Sequence, residues 1–119
     1  MKTRFLFVFA KPPYSSLHVQ ELLDMVLTAA AFDQPVSLLL VDDGVYSLKT
    51  GQQPEALNCR DIKPLFESLE LYDIEHIYVE AESLAERNLT ADALSLPVEL
   101  LNRAQVGALL KQQNRIVNV

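Results

Sequence analysis

The sequence predicts an α/β fold, a three-layer α/β/α sandwich built on a mainly parallel five-stranded sheet. Three observations carry this expectation. Phe5 to Ala10 and Val36 to Val41 are apolar without polar alternation, as strands covered on both faces are. Stretches of helical period lie between such runs, so strand and helix alternate along the chain. The stretch Ser37 to Gln52, SLLLVDDGVYSLKTGQ, passes from a buried strand into an acidic pair and a glycine. Loops beyond the carboxyl ends of parallel strands are where such sheets meet ligands and partners. The Asp42–Gln53 loop is therefore the place to look for function.

In order, Phe5 to Ala10 is the first strand, with Phe5, Phe7 and Phe9 alternating into the core. Lys11-Pro12-Pro13-Tyr14 ends it, and Ser15 or Ser16 can cap the helix that follows. Leu17, Leu22, Leu23, Val26, Leu27 and Ala30 recur at helical spacing to about Ala31. Phe32-Asp33-Gln34-Pro35 closes that helix, and Val36 to Val41 forms strand two. Gly44 is expected to supply the positive φ of a sharp exit from it. Ile62, Leu65, Phe66 and Leu69 define another helix, with Asp61 as N-cap and Pro64 in its first turn. Ile74 to Val79 is strand three. Ser83 and Glu86 have capping-box spacing for a short helix ending near Asn88, and Leu89 to Ser95 reads as a loop or single turn. Pro97 to Leu101 is strand four. Asn102 and Gln105 repeat the capping-box spacing, with Leu101 stapling against Val106. A helix to Gln112 and a strand from Ile116 to Val119 complete one domain over residues 1–119.

Composition narrows the function. The formal charge of −6, with ten Lys and Arg scattered singly, argues against direct nucleic-acid binding. The apolar run before Lys11 is about six residues, too short for a signal-peptide core or a membrane span. A cytoplasmic protein that makes no membrane contact is expected. Cys59 is the sole cysteine, so no internal disulfide forms, and His18 and His76 are too distant in sequence to make a metal set with it. Three unclustered glycines provide no phosphate loop, and no cofactor is expected.

Asp42 and Asp43 resemble the paired carboxylates with which receiver domains hold Mg²⁺, but no lysine follows the last strand. The plainer reading is a turn and helix-cap pair. Cys59 adjoins Arg60 and precedes a helix start, both favouring a thiolate, while Asp61 opposes it. An inert thiol is the plainer reading there too. The apolar helical segment LLDMVLTAAAF is long enough to face a partner.

SLLLVDDGVYSLKTGQQPEAL and RDIKPLFESLELYDIEHIYVEAESLAERNL resemble the TusC/DsrF-type subunits of the DsrE/DsrF/DsrH-like sulfur-relay family. The likeness is most specific from Val36 to Leu89, in DGV, GQ, the segment Leu71 to Glu75 and SLxERxL at Ser83 to Leu89. It implies a DsrE-like fold, flavodoxin-like in outline, and a dimer of heterotrimers with TusB-like and TusD-like subunits. Such a complex takes persulfide sulfur from an upstream donor and passes it to a TusE-like carrier. The sulfur ends in the 2-thiouridine of wobble-position tRNA or, in DsrEFH relatives, enters sulfur oxidation. The resemblance places the sulfur-carrying cysteine of the TusD/DsrE-like subunit at about Tyr78 of this chain, and a phenol carries no persulfide. It implies a non-catalytic subunit, since Cys59, some twenty residues earlier, does not match that cysteine; a relay carried by Cys59 is the alternative reading, and Asp42, Asp43, Val45 and Tyr46 in the central loop are the candidate subunit contacts.

Overall fold

A computed structural model of the chain describes residues 4–11, 18–48, 69, 74, 76–94 and 97–118. Its strands are β1 (Phe5–Phe9), β2 (Val36–Leu40), β3 (His76–Glu80), β4 (Glu99–Leu101) and β5 (Arg115–Asn118). The described helices are α1 (His18–Ala31), α2 (Ala81–Glu86) and α3 (Arg103–Lys111), with a 3-10 segment at Asp42–Leu48. Cys59, the Asp61-capped helix and the loop's Lys49 to Gln53 fall outside the described residues, apart from a buried Leu69. The caps Ser15 and Ser16 fall outside them as well.

The sheet has strand order β4-β3-β2-β1-β5, and every pairing is parallel. It shares the parallel sheet and double helical cover of a flavodoxin-like outline, with a strand order of its own. From β1 to β4 the chain steps one way across the sheet, then returns past β1 to lay down β5. Right-handed crossovers turn that reversal of direction into a change of face. Phe7, Phe9, Leu38, Leu40, Ile77 and Val79 accordingly meet α1 through Leu22, Leu23 and Val26. The alternate residues Leu6, Val8 and Leu39 meet α3 through Val106 and Leu109.

Helix ends follow local chemistry. Asp33 (φ 62) and Asn88 (φ 55) take the left-handed conformation just after α1 and α2. Gln34 N–H reaches back to the Ala29 carbonyl and Leu89 N–H to the Leu84 carbonyl, closing each helix in a Schellman turn. At α3 the capping box forms in full. Asn102 Oδ1 accepts the Gln105 N–H at 2.8 Å, and Gln105 Oε1 accepts the Asn102 N–H at 2.9 Å. Leu101 and Val106 share the second apolar cluster, in keeping with a staple.

Three expectations need correction. Ser83 caps nothing, because α2 starts directly after β3 with Glu80 at its N-cap, leaving Ser83 inside the helix. Gly44 is not the positive-φ residue; Asp42 is, at φ 49. Gly44 is instead required by contact, since a Cβ there would sit 1.7 Å from the Phe9 carbonyl oxygen. Finally, Leu22 and Val26 spend the apolar face of α1 on the chain's own core. Among the described residues, the large apolar side chains that α1 and its C-terminal turn expose are Met25 and, at 74% exposure, Phe32.

Candidate functional site

β3 ends in Glu80 and runs straight into α2 on the α1 side, whereas β4 ends at Leu101 and turns into α3 on the opposite side. Two adjacent parallel strands whose exits diverge leave a crevice between them, the usual ligand position in open α/β sheets. Here the chain's own side chains occupy it. Glu80 is only 7% exposed, and its Oε1 accepts from Ser83 Oγ at 2.7 Å and from Arg103 Nε at 3.1 Å. Arg103 also bonds Glu86 through its second guanidinium nitrogen, and its backbone N–H donates to Glu82 Oε2 at 3.0 Å. The hydrogen bond to Glu80, and after it that to Glu86, raises the Arg103 pKa above its ordinary range. The Arg103 N–H, ahead of burial, which opposes it, holds Glu82 below the usual glutamate value. The other oxygen of Glu82, Oε1, is shut from solvent and meets no hydrogen-bond donor among the described residues.

The 3-10 segment joins this network from the other side. Asp42 N–H donates to Ser83 Oγ at 2.9 Å, so one hydroxyl ties the exit of β2 to the exit of β3. Asp43 Oδ1 accepts from Arg87 Nε at 3.0 Å, and Arg87 also bonds the Ser83 carbonyl at 3.1 Å. The predicted contact residues therefore separate. Asp42 is exposed, Asp43 is half-engaged by Arg87, and Tyr46 is half-buried. Val45 is 0% exposed within the first core cluster, so it presents no side chain to a partner and leaves the candidate set. The acidic pair is a turn element with its own internal cation.

Tyr78 lies in β3 on the α3 face, half-buried, its ring stacked on His76 with centroids 5.8 Å apart and planes at 4°. Burial, and after it the Glu99 carboxylate, pushes the phenol above its ordinary pKa. Glu99 lies opposite Tyr78 in register and also meets His76 Nδ1 at 3.4 Å. No thiol adjoins Tyr78 among the described residues, which contain no cysteine.

Below the network, α3 and the ends of β1, β2 and β5 enclose a cleft of about 480 Å³. Val8, Leu39, Val41, Val106, Leu110 and Ile116 line it, with Asp42, Glu80 and Arg103 at the polar edge. Sequence reasoning missed Arg87 and Arg103. Their partners lie 44 and 23 residues away, and no short-range spacing signals such pairs.

Together these features define a small parallel α/β domain whose switch-point crevice is closed by an internal carboxylate–guanidinium network. The family described as DsrE/DsrF-like matches residues 3–119, and the chain belongs to it. A TusC homolog of Vibrio vulnificus (strain CMCP6) is 34% identical over 116 residues, 98% of each chain. One of Pseudomonas aeruginosa is 33% identical over 119 residues, the whole of both. The intracellular sulfur oxidation protein DsrF of Allochromatium vinosum is 40% identical over 91 residues, 76% of this chain and 67% of that one. Among solved structures, the ychN protein of E. coli superposes over the whole of both chains with TM-score 0.84 at 16% identity. MTH1491 of Methanobacterium thermoautotrophicum gives 0.72 at 16% identity over 99% of this chain and all of that one. At that identity the two structures bear on the fold alone.

Proposed function

We propose that this chain is a non-catalytic subunit of a TusBCD-type sulfur-relay complex. It assembles with TusB-like and TusD-like subunits and supports transfer of persulfide sulfur to a TusE-like carrier for 2-thiolation of wobble uridine in tRNA. The observation that carries the reading is Tyr78: an aromatic ring, stacked on His76 and packed against the sheet, stands about where the resemblance puts the reactive cysteine of the TusD-like subunit. Two further facts support it. The switch-point crevice is filled by Glu80, Ser83 and Arg103, all engaged with one another or with neighbouring groups. Among the described residues no helix is long and apolar enough to cross a membrane, as suits a role in a cytoplasmic relay.

A sulfur-oxidation role of the DsrEFH type is the second reading, favoured by the DsrF relative at 40% identity. Coverage weighs against it, since the Vibrio vulnificus and Pseudomonas aeruginosa TusC homologs align over 98% and 100% of their length and DsrF over 67%. The test of the main reading is to load the purified chain with a persulfide donor and offer it a TusE-like acceptor. The expected result is no transfer and no stable adduct; a gain of about 32 Da on Cys59 that the acceptor discharges makes the chain a carrier instead.

A further inference from the structure

Helix α1 turns its main apolar face into the core and carries a second stripe on its outer side. Glu21, Met25, Thr28 and Phe32 recur at i, i+4, i+7 and i+11, one above another on the helix, and all four are exposed. Met25 and Phe32 are thus two large apolar side chains standing in solvent on one line. From Glu21 to Gln34 the charged residues are Glu21, Asp24 and Asp33, all of them acidic. Among the described residues no ion pair engages Glu21 or Asp24.

A second surface has the opposite sign. The edge strand β5 exposes Ile116, which lies beside Leu110 of α3. Around it stand Lys111 in the last turn of α3, Arg115 at the start of β5, and Arg4, whose carbonyl accepts the Arg115 N–H at 3.0 Å. All three cations are exposed, and among the described residues no carboxylate pairs with any of them. Cations that lie singly in the sequence are gathered here because β1 and β5, the first and last strands, are neighbours in the sheet.

We propose that these two surfaces dock on each other between copies of this chain. Met25 and Phe32 of one copy cover Ile116 of the next, with Glu21 and Asp24 set against Lys111, Arg115 and Arg4. Either surface paired with itself sets like charges together, carboxylates at α1 or guanidinium groups at β5, which disfavours a two-fold contact through one face. The surfaces lie on opposite sides of the sheet, since α1 closes the first core cluster and Ile116 neighbours the second, so one copy cannot cover its own. The contact is therefore heterologous, each copy offering one surface in each direction. A net charge of −6 repels copies at long range, and the local match of sign acts at contact. This docking stands apart from sulfur transfer: its test reads mass alone, and its failure leaves the relay reading untouched.

The purified full chain is followed by sedimentation velocity over a dilution series, beside two charge-reversed variants. One carries Glu21→Lys with Asp24→Lys, the other Lys111→Glu with Arg115→Glu. The parent chain is expected to gain mass with concentration above the 13.4 kDa of one copy. Each variant alone sets like charges across the contact and should associate at least about tenfold more weakly. An equimolar mixture of the two restores opposite signs at every contact and should associate about as the parent does. Phe32→Ser should weaken association while leaving the melting temperature unchanged, because the ring packs little within its own chain. A parent chain that stays at 13.4 kDa at every concentration overturns the proposal. A mixture no heavier than its separate parts overturns it too, as does association that Phe32→Ser leaves intact.

Discussion

The two faces of the sheet are built to different standards. On the α1 side, β1, β2 and β3 send Phe7, Phe9, Leu38, Leu40, Ile77 and Val79 into a continuous core closed by α1, the 3-10 segment and α2. On the α3 side, among the described residues, one helix of nine residues covers the strands, and its cluster is five buried residues. A crossover helix lies along the strands and is about 10–12 Å across, whereas five strands at about 4.8 Å spacing span roughly 19 Å. One face therefore supplies the larger core, and the other keeps apolar surface in reach of solvent, Ile116 among it. The difference teaches where to expect folding defects and where to expect binding defects.

The largest effect that would sharpen this contrast is at the α1 face. Phe7→Ala removes a fully buried ring and is expected to cost about 3–5 kcal/mol in urea denaturation. Gly44→Ala comes next. Its methyl would meet the Phe9 backbone, which cannot swing aside as a side chain does, and a loss of about 3 kcal/mol is expected. A fully stable Gly44→Ala protein would mean that the 3-10 segment does not lie against β1 as described.

At the network the expected effect is smaller and depends on pH. Glu82 titrates below its ordinary value in the folded chain, so the unfolded chain binds its proton first as acid is added. Its contribution is therefore present above the ordinary value and is lost as pH falls through the depressed one. Glu82→Gln should flatten the acid limb of a stability-against-pH curve and leave the curve at pH 7 nearly parallel. Tyr78 works at the other end. Its raised pKa means that the unfolded chain loses the phenol proton first, so stability falls as pH rises through and above 10. Tyr78→Phe should remove that part of the alkaline loss, seen in melting temperatures between neutral pH and pH 11. The smallest effect is on the open face, where Ile116→Ser is expected to change stability by about 0.5 kcal/mol or less. A loss comparable to that of Phe7→Ala would erase the distinction between the two faces.

Most of the architecture could be read from residue order. Apolar runs without alternation located β1 and β2 because such runs fit only strands covered on both faces, and Asn102 with Gln105 located the start of α3 because both capping bonds are local. Ser83 misled for an instructive reason. Its spacing to Glu86 is that of a capping box, but its hydroxyl is recruited by Asp42, 41 residues away, and by Glu80. Leu22 and Val26 read as spare apolar surface because periodicity gives a face without saying what it meets. Val45 looked like a loop contact because the Asp42–Asp43–Gly44 break suggests an exposed turn, whereas the segment coils as a 3-10 turn that drives Val45 inward. Long-range ion pairs such as Arg103 with Glu80 leave no trace in local spacing, so the crevice was legible as a place and not as a set of residues.

The proposed function rests on this chain supporting sulfur chemistry without carrying the sulfur. The direct measurement is the rate of sulfur transfer to a TusE-like acceptor by the reconstituted complex of TusB-, TusC- and TusD-like subunits, with Cys59→Ser in this chain. An unchanged rate from an intact complex is the predicted result, and loss of transfer from a complex that still assembles contradicts it.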